Sequence, residues 1–479
     1  VAKRVTRFSV VEQSGWTEPR TQFPAFAARP FCVWLDTATA PPGYSILAAE
    51  PTQILRSKGG LIEIISPEGV ARLRGNPFDV LPEQLTAHRH AAAADFPVGA
   101  AIGYFGYDLK NFVEKLPANA QDDVGLPDCW FGFYDNLLVF DHAQRKTWQI
   151  SHSHRAVSHY SNTPILQHPI SALHSNFTRD SYRRAVLRAK EYIAAGDIYQ
   201  VNLSQRFQCG VEAAPAKVYL ALRESNPAPY CAYLDIGTAQ ILSSSPECFL
   251  NIRDCHVVTR PIKGTRPRGK TADEDERVAQ ELLASPKDNA ELVMIIDLER
   301  NDLGKVCQFG SVRVKELVRV EQYATVFHLV STVEGLLRRD VSHVDCVRAC
   351  FPGGSITGAP KIRAMEIIDE LEPHARGVYT GAIGFLGFNG VSHLNIAIRT
   401  VVYQPIGSVG AASPPRPEWP EPTQSIAAGT PLPRRGCAGR LTFHAGGGIV
   451  ADSEPDSEYD ETLAKAEGIF NAIEQLRLR

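Results

Sequence analysis

The chain has 479 residues, 44% of them hydrophobic and 22% charged, with a formal net charge of −3. This length is far above the size at which a core is hard to bury, and the near-neutral charge gives no electrostatic reason to expect nucleic acid or an anionic membrane as a partner. No apolar run approaches the roughly 20 residues of a membrane-spanning helix, so a soluble cytoplasmic protein is expected. The ten cysteines are scattered through apolar contexts such as Phe31-Cys32-Val33, with no Cys-x-x-Cys pair, which predicts buried reduced thiols. Cys346 and Cys350 stand at helical i,i+4 spacing without further ligands nearby, which argues against zinc.

Residues 1–150 alternate short apolar runs with turn signals, and strands are predicted at 31–35, 61–65 and 137–140. The glycine- and aromatic-rich stretch 99–107 predicts close backbone packing. Residues 151–175 shift to His and Ser and read as a linker or surface excursion before a second region, 176–479. A helix is predicted over 179–195, stopping at Gly196. Ser285-Pro286 is an N-cap followed by proline at the first helical position, starting a helix through about Leu298. Residues 456–476 form the closing helix. Strands and helices interleave without the βαβ rhythm of a doubly wound sheet, so the class is α+β. Residues 405–437 carry eight prolines from Pro405 to Pro433 among Gly, Ala and Ser, a floppy insertion between strands at 401–403 and 441–443 with no catalytic role.

Several motifs lie beyond the linker. Ser245-Pro246-Glu247 ends a strand-like run, and Pro261-Ile262-Lys263-Gly264-Thr265 follows another. Phe351 to Lys361 reads FPGGSITGAPK and opens a helix. Tyr379-Thr380-Gly381, Ile398-Arg399-Thr400, Ala445-Gly446-Gly447-Gly448 and Ser457-Glu458-Tyr459-Asp460-Glu461-Thr462 come after it in order. Lys263 is confined between a proline and a glycine. Burial disfavours the ammonium form of such a lysine, and a neutral amine is a nucleophile. Asp288 and Glu291 share a helix face, as do Glu458 and Glu461, and oxygen ligands so placed suit Mg²⁺. Taken alone, an acidic i,i+3 pair is more often a solvated face. Gly446 to Gly448 expose backbone N–H groups that suggest an anion nest. Thr357-Gly358 is expected at a helix N-terminus, where an anion is favoured.

In this order the motifs resemble the chorismate-utilising enzymes, from about Phe177 to the C-terminus and more loosely over 1–150. The resemblance implies large antiparallel sheets packed on one another with flanking helices, and chorismate as substrate. It implies Mg²⁺ at Glu291 and Glu461, with Glu458 and Asp288 beside them, and substrate contacts from Gly264, Thr265, Thr357, Gly358, Tyr379, Arg399, Gly446, Gly447, Gly448, Lys465 and Gln200. It assigns Glu247 as general acid, with His328 assisting loss of the leaving group. It implies that Lys263 is the nucleophile that attacks C2 before ammonia adds at C4, giving 4-amino-4-deoxychorismate for 4-aminobenzoate and folate synthesis. The anthranilate-forming branch carries alanine at the Lys263 position. The isochorismate- and salicylate-forming branches carry a water-activating lysine where this chain has Gln200. Amination at C2, or a non-catalytic chorismate-binding subunit, are the alternatives. No Gly-x-Cys-x-Gly nucleophile turn is present, so ammonia is expected from a separate glutamine amidotransferase subunit. Relatives bind tryptophan near the segment matching Asn226 to Tyr230, but the Leu-Leu-Glu-Ser effector box is replaced here by Ala48-Ala49-Glu50-Pro51.

Overall fold

The computed structural model describes residues 8–38, 43–90, 92, 94–152, 173–323, 326–406 and 438–478. Most of the linker expected at 151–175 and of the insertion expected at 405–437 lies outside the described residues.

The described residues build two antiparallel sheets of twelve strands each, the α+β arrangement expected. The first runs in the order Phe8–Glu12, Lys146–His152, Leu137–Asp141, Tyr44–Ala48, Val33–Asp36, Tyr230–Asp235, Gln240–Ser245, Thr400–Ile406, Ala438–Ile449, Gln200–Val211 and His174–Ser175, with Gly358–Ala359 also paired to Gln200–Val211. The second runs Ile262–Pro267, Val326–Leu336, His256–Arg260, Cys248–Arg253, Val391–Ile396, Ala382–Gly387, Ala100–Phe105, Cys129–Tyr134, Gln53–Lys58, Leu61–Ser66 and Gly69–Arg74, with Arg313–Gln322 also on Val326–Leu336. Each sheet takes strands from both sides of residue 150, so the two parts of the chain share both hydrogen-bonded ladders.

Central strands read as unbroken apolar runs because both of their faces are covered. Ala100–Phe105 and Cys129–Tyr134 are buried at every position. Between the sheets, Val33, Ile46, Val139 and Ile241 from the first meet Ile54, Ile102, Trp130 and Ile383 from the second. Helices Pro215–Ser225 and Pro455–Leu478 cover the outer face of the first sheet through Tyr219, Leu222, Ile469 and Ile473. Helix Pro286–Gly304 and helix His343–Cys350 cover the second. The Ser285 side chain accepts the Asp288 N–H, as an N-cap should, and the helix runs past the expected end at Leu298 because Asp302 and Leu303 are still buried. Gly196, at φ 82°, follows the helix Arg179–Ala194. Val401 pairs with Phe443, the hairpin expected across the insertion. Nine cysteines are described as free thiols, all buried except Cys255. No helix among the described residues is long and apolar enough to cross a membrane.

Two passages between the sheets position the site. Pro246-Glu247 links Gln240–Ser245 of the first sheet to Cys248–Arg253 of the second, and residues 397–399 link Val391–Ile396 back to Thr400–Ile406. The passages lie side by side. The Ile396 N–H donates to the Glu247 carbonyl at 3.0 Å, the Ser245 hydroxyl to the Ile396 carbonyl at 2.6 Å, and the Ser244 N–H to the Arg399 carbonyl at 3.0 Å.

Close backbone approach in the stretch 99–107 generates a test. A Cβ at Gly103 would lie 1.9 Å from the Trp130 carbonyl oxygen, so the strands must part to admit one. Gly103→Ala should destabilise the fold by about 1–3 kcal/mol, read as a lower melting midpoint. A midpoint equal to that of the wild type would contradict this packing.

Candidate active site

Lys263 sits on a terminal strand of the second sheet whose register slips at Gly264. Lys263 faces Leu329, while Thr265 already faces His328. Gly264 has φ 71°, and a Cβ there would lie 3.0 Å from both Asp288 and Leu282, so the bulge requires glycine. The bulge aims Lys263 Nζ at Glu291 Oε1 (2.8 Å) and at the Ser355 carbonyl (3.3 Å). Gln200 Nε2 donates to the same Glu291 oxygen at 2.6 Å. Burial alone would raise the Glu291 pKa. The Lys263 charge and the hydrogen bonds from Lys263 and Gln200 outweigh it and hold the carboxyl below its ordinary value.

Glu247 is buried on the first passage. Desolvation raises its pKa, against the Ser355 hydroxyl, the Lys263 charge and the Ile262 N–H, and the upward push wins. A carboxyl pushed upward holds its proton to higher pH than an exposed one, the direction a general acid needs. Thr265 Oγ1 lies 2.9 Å from His328 Nδ1. Burial, helped by the Arg399 charge, pushes His328 down to about 3. It is a neutral imidazole at neutral pH, able to form hydrogen bonds but carrying no charge.

Arg399 on the second passage has φ 50°. Its guanidinium donates from Nη1 to Asn226 Oδ1 at 3.0 Å, with no carboxylate in bridging distance among the described residues. Burial pushes its pKa down. A desolvated guanidinium without a counter-ion is costly and favours an anion supplied from outside. Nearby, the Tyr379 ring stacks on His444 with centroids 4.9 Å apart, and Arg376 lies 5.6 Å from the same tyrosine ring. Arg376 is itself locked by Glu372, the Asn202 and Ile356 carbonyls and Thr380.

The glycine triplet differs from expectation. Gly446, Gly447 and Gly448 lie within Ala438–Ile449, opposite Ser204, Leu203 and Asn202, and none has a positive φ. They form extended strand rather than a nest. What glycine supplies is space. A Cβ at Gly447 would lie 3.3 Å from Glu458 Oε2 and 3.4 Å from Glu461 Oε1, and one at Gly448 would overlap Gln200 and lie 3.0 Å from Glu291 Oε1. Lys465 Nζ donates to the Gly446 carbonyl at 3.0 Å and pairs with Glu461 at 2.7 Å. Thr357-Gly358 is likewise not at a helix N-terminus. The helix Lys361–Leu371 has Pro360 as its N-cap, Gly358 pairs with Val201, and the Thr357 hydroxyl donates to the Gly353 carbonyl at 2.9 Å.

Of the four carboxylates expected around a metal, Glu291, Glu458 and Glu461 line the space beside Gly447 and Gly448. Burial raises the Glu458 pKa, and the negative charge of Glu461 adds to the rise, although the Ser453 hydroxyl donates to it at 2.6 Å. Carboxylates close enough to repel each other favour a cation. Asp288 instead engages Arg266 at 2.8 Å. Among the described residues, no three His, Cys, Asp or Glu side chains gather as a metal cluster. An ion here would have one or two carboxylates at most and would need water or substrate to complete its shell, a requirement Mg²⁺ tolerates.

Four residues with a part in this arrangement were not singled out from sequence. Ser355, Asn226, Arg376 and His444 each act through a contact with a distant segment.

The chain matches the family described as chorismate binding enzyme over residues 32–421 and 435–471. It is 36% identical over 452 residues to aminodeoxychorismate synthase component 1 of Bacillus subtilis, covering 90% of this chain and 89% of that protein. It is 38% identical over 463 residues to anthranilate synthase component 1 of Acetivibrio thermocellus, covering 90% and 87%. The crystal structure of anthranilate synthase component I from Streptococcus pneumoniae TIGR4 superposes with a TM-score of 0.72 at 29% identity, over 96% of this chain and 98% of that one.

The depressed His328 pKa, about 3 against an ordinary 6.5, makes a signed prediction. The unfolded chain takes up a proton that the folded site refuses, so stability present above pH 6.5 is lost as pH falls towards 3. The melting midpoint of the wild type should therefore fall relative to that of His328→Gln as the buffer is acidified. A constant difference between the two proteins would contradict it.

Proposed function

The chain belongs to the chorismate binding enzyme family, and on that premise we propose that it aminates chorismate at C4 to give 4-amino-4-deoxychorismate, the precursor of 4-aminobenzoate and folate. Relatives named for C4 and for C2 amination are about equally similar, so the choice rests on the site. The observation that carries it is Lys263, aimed by the Gly264 bulge to within 2.8 Å of Glu291 and bonded to the turn that also touches Glu247. An alanine there, as in the anthranilate-forming branch, would leave no amine at this place.

Arg399 receives the enolpyruvyl carboxylate, and Tyr379 flanks it. Glu291 and Glu461, with Glu458 beside them, would hold Mg²⁺, whose charge neutralises the ring carboxylate when bound. Glu247 donates its proton to the C4 hydroxyl, which departs as water while Lys263 Nζ, as the neutral amine, bonds to C2 through its lone pair and both ring double bonds shift. Ammonia then attacks C4, both double bonds return, the C2–Nζ bond breaks with its electron pair going back to the amine, and the surplus proton on the new amine returns to the Glu247 carboxylate. The covalent step divides one displacement with the wrong regiochemistry into two permitted ones. Ammonia comes from a separate glutamine amidotransferase subunit. Amination at C2 is the second reading, favoured by the likeness to anthranilate synthases.

Chromatography of products formed from chorismate, Mg²⁺ and ammonium decides between them. Aminodeoxychorismate is expected from the wild type, and Lys263→Ala should lose it almost entirely, with residual product moved to the C2-aminated compound. Anthranilate as the main wild-type product would overturn the C4 assignment. Glu291→Gln should raise the Mg²⁺ concentration needed for half-maximal turnover by at least about tenfold in a protein that still melts cooperatively. Full activity of the wild type in excess chelator would remove the metal from the account.

A further inference from the structure

Helix Pro286–Gly304 carries a buried carboxyl that the chemistry above does not use. Glu299 is 3% exposed. Its Oε1 accepts the Gly354 N–H at 3.3 Å, and its Oε2 has no partner among the described residues. The contact is confined from both sides, because a Cβ at Gly354 would lie 2.7 Å from Leu298 Cδ2 and 3.3 Å from Glu299 Oε1. A larger residue there would crowd the Leu298 and Glu299 side chains. The next residue, Ser355, accepts Lys263 Nζ through its carbonyl at 3.3 Å, and its hydroxyl acts on Glu247 by lowering that carboxyl's pKa. A single turn thus joins Glu299 to both groups read as reacting.

The charged neighbours of Glu299 explain how an acid is tolerated there. Desolvation and Asp302 push it up to about 7, Glu247 adds to the rise, and Lys361 and the Gly354 N–H oppose it. Cys248 and Cys350 are the other titratable groups within its field, both pushed up themselves. Lys361 donates to Asp302 and to the Cys350 and Pro352 carbonyls, so its charge is shared. An acid in its neutral form is what such a place accepts, since a buried carboxylate without a dedicated partner is much the costlier state.

We propose that Glu299 is a positioning residue for the reacting centre, fixing through the Gly354 N–H the turn that presents Ser355 to Glu247 and Lys263. The proposal rests on the reading of Glu247 and Lys263 as the reacting pair. Glu299 touches no reacting atom itself.

The test follows chorismate consumption, whatever the product, in Glu299→Leu, Glu299→Gln and Glu247→Gln beside the wild type. Glu299→Leu removes the acceptor and should lower kcat on the order of 100-fold, with KM for chorismate moved by less than about threefold because the carboxylate contacts are untouched. Glu299→Gln keeps a neutral side chain of the same shape with an acceptor oxygen and should restore kcat to within about threefold of wild type. The Ser355 hydroxyl lowers the Glu247 pKa, so loosening the turn should move the Glu247 limb of the kcat profile to higher pH in the leucine variant than in the glutamine variant. Glu299→Met, unbranched and of similar length, serves if the leucine variant does not fold. Wild-type kcat in the leucine or methionine variant, or equal loss in Glu299→Gln, would overturn the proposal. Undiminished turnover in Glu247→Gln would instead remove the reading on which it stands.

Discussion

Everything in the site depends on a cation and an acid carried on adjacent passages where the chain crosses twice between its sheets. Glu247 and Arg399 occupy neighbouring passages tied by three hydrogen bonds through Ser244, Ser245 and Ile396. Burial moves both pKa values towards the neutral form, up for the carboxyl and down for the guanidinium. They do not neutralise each other, for Arg399 pairs with the Asn226 amide rather than with a carboxylate. The fold thus holds a carboxyl pushed towards its neutral form and an arginine without a carboxylate partner in one region. A small dianion with a poor leaving group meets both needs, and the packed inter-sheet core keeps the passages from relaxing to pair them.

The strand Ala438–Ile449 extends that logic. Along its length His444 stacks on Tyr379, Gly446 receives Lys465, Gly447 faces Glu458 and Glu461, and Gly448 faces Gln200 and Glu291. Side chains at the three glycines would fill the space beside the acids. Glu291 is the meeting point, accepting from Lys263 and Gln200 on one oxygen. Its depressed pKa and the raised pKa of Glu247, both in reach of Lys263, show two carboxyls pushed apart by their surroundings. Such divergence is what acid–base and covalent chemistry at one centre requires.

Features with a local physical cause were legible in the sequence. The Ser285 cap, the Gly196 stop, the hairpin strands around residues 401 and 443, and the constriction of Lys263 between Pro261 and Gly264 all follow from short-range chemistry. Features set by distant partners were not. A glycine triplet read locally suggests a nest, yet its conformation is imposed by strand Gln200–Val211, some 240 residues earlier. Asp288 has the spacing of a metal ligand, but Arg266 on the neighbouring strand engages it. Thr357 resembles a helix-start residue until the Pro360 cap and the short pairing with Val201 move the helix onward. Asn226 serves Arg399 across 173 residues, and Glu299 sits in a charged run, Asp297 to Arg300, that reads as solvent-facing.

The central claim is that Lys263 reacts rather than merely attracts. Intact-mass and peptide mass spectrometry of protein quenched with chorismate and Mg²⁺ in the absence of ammonia tests it most directly. An adduct equal to chorismate less water is expected, confined to the peptide that carries Lys263, lost in Lys263→Ala and discharged when ammonium is added. No adduct, together with aminodeoxychorismate formed by Lys263→Ala at the wild-type rate, would reduce Lys263 to an electrostatic contact and contradict the account.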